Sequence, residues 1–212
     1  MTESTPTEPF AVRLHVDAPD TQRNRLSIAF RIVVAIPILI VLSLVNGATL
    51  AGTSNGQSRS VAAAGGLLFL APLVMIVFRQ KYPRWWFDWN VALLRFINRV
   101  VVFIFLLRDE YPSTDAEQAV HLEVDYPDVP NDLNRWLPLV KWLLAIPHYV
   151  VLFFLTIAVF FAVIVAWFAI VFTGRYPAGL FDFVVAVMRW HNRVIGYAFL
   201  LVTDRYPPFS LS

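Results

Sequence analysis

Six charged side chains stand inside otherwise apolar, helix-forming sequence: Asp88, Arg95 and Arg99, and again Asp182, Arg189 and Arg193. On a helix the spacings i, i+7 and i+11 put each trio within about 40° of arc, a narrow polar ridge flanked by Asn98 and Asn192. Charges are costly in apolar helices, so the same three kept twice imply a physical task. Arg95 and Arg99 are like-charged neighbours one turn apart, as are Arg189 and Arg193. Alone, such a pair weakens a helix; an anion between them reverses the sign, and the guanidinium fork suits phosphate or carboxylate. Three uses fit. Each pair holds an anionic lipid headgroup. Or the arginines bind protein carboxylates, either Asp88 and Asp182 across the two sets or acids between Asp109 and Asp132. Or they extend toward water.

The two ridges belong to a longer repeat. Lys81–Val100 aligns with Arg175–Val194 at a shift of 94 positions, with 10 identities in 20. Around this motif each copy carries the same parts. A period-2 stretch, Val12 to Asp17 or Val120 to Asp125, reads as a half-buried strand ended by Pro19 or Pro127. An Asn-Arg pair (Asn24-Arg25, Asn134-Arg135) opens an apolar run, Leu26–Val45 or Trp136–Leu155. Both runs contain Ala-Ile-Pro, where Pro37 or Pro147 removes a backbone bond, and a basic residue (Arg31, Lys141) four positions before that Ala. A return span follows: Val61–Phe78 after the polar loop Gly52–Ser60, and in the second copy the far arm of a hairpin turning near Thr156–Phe161. Each copy closes with the motif helix, Phe87–Leu107 or Phe181–Leu201, and a second Tyr-Pro. The domain reading is 1–112 for the first repeat and 113–212 for the second.

Composition sets the class. The chain is 58% hydrophobic and 15% charged, with mean hydropathy +0.62. Soluble domains are about a quarter charged, so the expected fold is an all-α membrane protein with a minor β element. If the motif helices cross the bilayer there are six spans and the copies are inverted. If they lie amphipathic in the interface, there are four spans and the copies are parallel. Outside the motif helices, the four-span arrangement puts Arg59 alone on one side and twelve basic residues on the other. That asymmetry obeys the positive-inside rule, and the same arrangement brings both strands to one side, where they can pair. The four-span reading is therefore preferred, with N- and C-termini cytoplasmic. Trp85, Trp86 and Trp89 stand at one end of the first motif helix, where indoles favour the headgroup layer.

Other chemistry finds little footing. Cysteine is absent, which excludes disulfides, thiolate metal sites and a cysteine nucleophile. Among the four histidines, His148 and His191 align with Ile38 and Ile97, and His15 and His121 occupy non-equivalent strand positions. No catalytic triad spacing, His-Glu-x-x-His, phosphate loop or dinucleotide fingerprint is present. The expectation is no enzyme, no cofactor and no metal. The formal charge of +2 is too small for a nucleic-acid binder. Only Lys81 and Lys141 among 17 basic residues are lysine, a bias that fits a bacterial genome.

The run Arg175-Tyr-Pro-x-x-x-Phe-Asp-Phe-x-x-x-x-x-Arg-Trp-x-x-Arg193, closing with Thr203-Asp-Arg-Tyr-Pro-Pro-Phe-Ser210, resembles bacterial membrane proteins carrying domain of unknown function 4389. The resemblance extends over most of the chain as two tandem copies. The first departs at its close, Arg108-Asp-Glu-Tyr-Pro-Ser, which lacks the Pro-Phe. It implies membrane residence and duplication and carries no activity. The expected function is a non-enzymatic accessory or organising component of a bacterial plasma membrane, docking anionic headgroups or a partner protein, with homo-oligomers allowed. The other class is a small-solute or lipid transporter built from the two repeats.

Overall fold

The computed structural model describes residues 10–18, 28, 30–45, 64–114, 116 and 118–211. The Asn24-Arg25 pair, Pro19, the Gly52–Ser60 loop and Arg59 lie outside the described residues. Two strands and seven helices are described: β1 Val12–Val16, α1 Arg31–Val45, α2 Ala64–Arg79, α3 Arg84–Ile104, β2 Val120–Val124, α4 Val129–Asp132, α5 Pro138–Leu144, α6 Ile146–Thr173 and α7 Ala178–Ala198.

The alternation Val-x-Leu-x-Val decides the sheet. β1 and β2 pair antiparallel with Leu14 opposite Leu122, Val12 opposite Val124 and Val16 opposite Val120. These valines and leucines turn onto the motif helices α3 and α7, while His15, Arg13 and Glu123 face out. Arg13 fastens the exposed face, bonding Glu123 at 3.2 Å and both oxygens of Asp125 at 2.8 and 2.9 Å. A two-stranded sheet is marginal by itself, and here the buried face of α3 and α7 completes it.

Among the described residues neither the four-span nor the six-span arrangement is formed. Among the described residues one helix, α6, is long and apolar enough to cross a membrane. Its 28 residues run roughly 42 Å. α1 has 15 residues and α2 has 16, and at 1.5 Å per residue both fall short of about 30 Å of hydrocarbon. Apolar run length does not reveal helix breaks: the run Trp136–Leu155 is divided at Ala145. The placement of both termini on the cytoplasmic side rested on an even number of crossings and loses that support.

The hairpin expected within Trp136–Phe172 is also absent. α6 passes through Thr156–Phe161 without a turn and ends at Gly174, whose φ of 74° is the left-handed cap that glycine accepts. The break falls earlier, at Ala145 between α5 and α6. Pro147 has no N–H for the carbonyl one turn back, so the helix is interrupted there. The same Ala-Ile-Pro in α1 leaves Pro37 inside a continuous helix.

The motif helices are not free amphipathic helices with arginines turned to water. They pack on the sheet and on each other, and Phe87, Val91 and Leu94 of α3 share one core with Phe181, Val185 and Met188 of α7. The ridge arginines donate to backbone carbonyls, Arg95 while still exposed, and the ridge carboxylates Asp88 and Asp182 lie at the surface.

Candidate functional site

The ridge residues are placed by the crossing of α3 and α7. At its centre the Asn98 and Asn192 side chains bond each other twice, each amide donating to the other's oxygen at 2.8 Å. Each amide also donates to the carbonyl one turn back, Leu94 or Met188, at 2.8 Å. Both are buried, so every bond left unmade would cost the desolvation of an amide.

One turn toward the N-terminus of each helix, the arginines reach the sheet. Arg95 Nε donates to the Leu122 carbonyl at 2.9 Å, and Arg189 Nε to the Leu14 carbonyl at 3.0 Å. Leu14 and Leu122 face each other in the ladder, so the two bonds are equivalent under exchange of the halves. Each arginine holds the strand of the other half. The next arginines hold the closing segments, Arg99 on the Ser113 carbonyl and Arg193 on the Ser210 carbonyl, both at 2.9 Å. Arg193 is 8% exposed, and burial, then the neighbouring Arg189 charge, lower its pKa.

The carboxylates of the ridge do not join these arginines. Asp88 is exposed and pairs with Arg84 one turn back at 3.4 Å. Asp182 is exposed, and Ala178 stands where Arg84 stands in the first copy. The structure thus brings Asn98 and Asn192 together, sends Arg95, Arg99, Arg189 and Arg193 each to a separate backbone carbonyl, and leaves Asp88 and Asp182 at the surface.

A second duplicated constellation went unread. Arg31, 3% exposed, pairs with Asp109, donates to the Arg108 carbonyl at 2.8 Å, and lies over the Phe103 ring at 4.2 Å. Lys141, fully buried, pairs with Asp204 at 2.7 Å, donates to the Thr203 carbonyl at 2.7 Å, and lies over the Tyr197 ring at 5.2 Å. Burial is the largest influence on both cations and lowers their pKa, with the carboxylate opposing it. The signal was available: a basic residue four positions before each Ala-Ile-Pro, and an Asp two positions before each closing Tyr-Pro.

Between α3, α6 and α7 lies a cavity of about 210 Å³, lined by Leu94, Ile97, Val101 and Met188, with Asn98, Asn192 and His191 supplying polar atoms. His191 Nδ1 lies 3.1 Å from the Val187 carbonyl, and burial lowers its pKa. His148 is fully buried and accepts the Trp190 indole N–H at 3.0 Å, with Phe209 stacked 4.0 Å away. Among the described residues no three His, Asp or Glu side chains converge as a metal site.

Fold and site together define a helical protein with a two-stranded sheet, organised by duplicated arginine and asparagine contacts and carrying one long apolar helix. Residues 136–210 match a family described as Domain of unknown function (DUF4389). The match takes in α5, α6, α7 and the closing segment, and no second copy is matched in the first half. No curated protein and no solved structure matches the chain.

Proposed function

We propose that this protein is a non-enzymatic membrane component anchored through α6, an accessory or organising part that docks anionic headgroups or a partner protein. The observation that carries the reading is the surface of α6. Its most apolar window is only 17% buried, and Phe153, Phe154, Phe160, Phe161, Phe168 and Phe172 are exposed. A core helix of a soluble protein is mostly buried, and a patch of this size in water drives association. Hydrocarbon is the medium in which such a face is stable. Contacts that recur under exchange of the halves support the first half as a divergent second copy of the family module, and arginine bias supports a bacterial plasma membrane. The lining of the cavity, apolar apart from the asparagines, His191 and Thr156, favours an accessory role over a solute path.

The test is alkaline carbonate extraction of membranes expressing the full chain. Retention in the pellet is expected, with loss of retention when Phe160 and Phe161 are both replaced by Asp. Release of the unaltered chain into the supernatant would overturn the reading.

A further inference from the structure

The exposed apolar face does not end at random. On α2 it runs through Leu70, Val74 and Phe78, and on α5 through Leu139, Val140 and Leu143. The C-terminal end of α2 and the segment before α5 meet, because Arg135 donates to the Val77 carbonyl at 2.6 Å and to the Phe78 carbonyl at 3.4 Å. Four residues separate α2 from the first turn of α3, and the Tyr126 hydroxyl bonds the Tyr82 carbonyl between them. At this junction Arg79, Lys81, Arg84 and Arg135 are all exposed. Trp85 is 66% exposed, Trp136 63% and Trp89 44%.

We propose that this junction is the surface that meets anionic phospholipid headgroups. The inference rests on membrane anchoring through α6 and names the residues that contact the charged layer: Arg79, Lys81 and Arg84, with Trp85, Trp89 and Trp136 as the indole belt. Three features converge. Exposed indoles partition to the boundary between hydrocarbon and headgroup, where ring and N–H are both accommodated. Lysine and arginine beside apolar sequence reach from that boundary to phosphate. Among the described residues Arg79 and Lys81 form no ion pair, so their charges are available; Arg84 is shared with Asp88 at 3.4 Å and covers the Tyr126 ring at 4.7 Å. The ridge arginines of α3 and α7 each donate to a backbone carbonyl inside the fold, so the exposed cations at this junction are better placed for phosphate. Arg135 has a structural task in joining the two segments.

The experiment is native mass spectrometry of the detergent-solubilised full chain, titrated with phosphatidylglycerol and separately with phosphatidylcholine. The unaltered chain is expected to retain phosphatidylglycerol preferentially. Arg79→Gln with Lys81→Gln should weaken that retention roughly tenfold, since each basic residue near an anionic surface contributes a severalfold factor. The charge-preserving Arg79→Lys with Lys81→Arg should keep it. A melting temperature equal to the parent chain's establishes that the double Gln variant is folded; if it does not fold, Lys81→Gln alone reads the same quantity with one charge removed. Unchanged phosphatidylglycerol retention in the folded Gln variant would overturn the proposal, as would equal retention of the two lipids by the parent chain. So would selective capture of an acidic protein through Arg79 and Lys81 without lipid preference. Carbonate extraction of the same preparations separates the two claims, because anchoring can hold while the headgroup surface fails.

Discussion

Lys141 is fully buried and pairs with the half-buried Asp204, so removing the carboxylate leaves the ammonium charge stranded. Asp204→Asn should therefore cost about 3 kcal/mol, because an uncompensated buried charge is expensive. Lys141→Met combined with Asp204→Asn should cost less than the single Asn change, and the difference in melting temperature between the two variants checks this. His191 carries a separate dependence. Burial lowers its pKa below the ordinary 6.5, so the unfolded chain binds more protons between the folded and unfolded values. Stability from neutral His191 is complete above pH 6.5 and is lost as pH falls through that window. His191→Gln should flatten the slope of melting temperature between pH 7 and 5, and an unchanged slope would assign it to other groups. At this scale the sequence marks Asn98 and Asn192 as equivalent neighbours of the two ridges, but does not show that they bond each other. It reads poorly where the partner is backbone. A carbonyl leaves no mark in composition, so the spacing of Arg95 and Arg99 does not show that each donates to backbone, at Leu122 and Ser113.

Helix and strand leave no room for a side chain at Gly196, where a Cβ would meet Val12 Cγ2 at 2.4 Å. Val12 is 3% exposed and pairs with Val124, so it has little room to give. Gly196→Ala should cost about 1–3 kcal/mol by overpacking, read as a lower melting temperature. Val12→Ala in the same chain should return part of it. An unaltered melting temperature for Gly196→Ala would mean that β1 shifts freely over α7. The strands themselves were legible, since period-2 alternation is local and short. The helices were less so. A run of apolar residues from Trp136 to Phe172 gives the same hydropathy whether it is one helix or two. Length alone suggests a hairpin, and no Gly or Pro stands at Thr156–Phe161 to make its turn. Pro147, present in the sequence, marks the true interruption, and Gly174 marks the end.

For the molecule as a whole, the important property is that its halves are interleaved. Arg95 of the first half bonds the strand of the second, Arg189 of the second bonds the strand of the first, and Asn98 and Asn192 close the crossing. The sheet that both arginines read exists only when β1 and β2 pair, and those strands lie more than a hundred residues apart in sequence. Residues 136–210, the stretch matched by the family, contain α7 but neither strand. Expressed alone in detergent, that fragment would leave the Arg189 side chain without the Leu14 carbonyl and the buried face of α7 without a sheet. It should keep helix in α6, where hydrogen bonds are local, yet lose cooperative melting and become open to protease between Gly174 and Ser210. Adding residues 1–135 as a separate chain should restore both properties, since the missing contacts are noncovalent. A fragment that melts cooperatively by itself, with protection equal to the full chain's, would show that the second half is an independent domain and that the crossing between α3 and α7 adds little to stability.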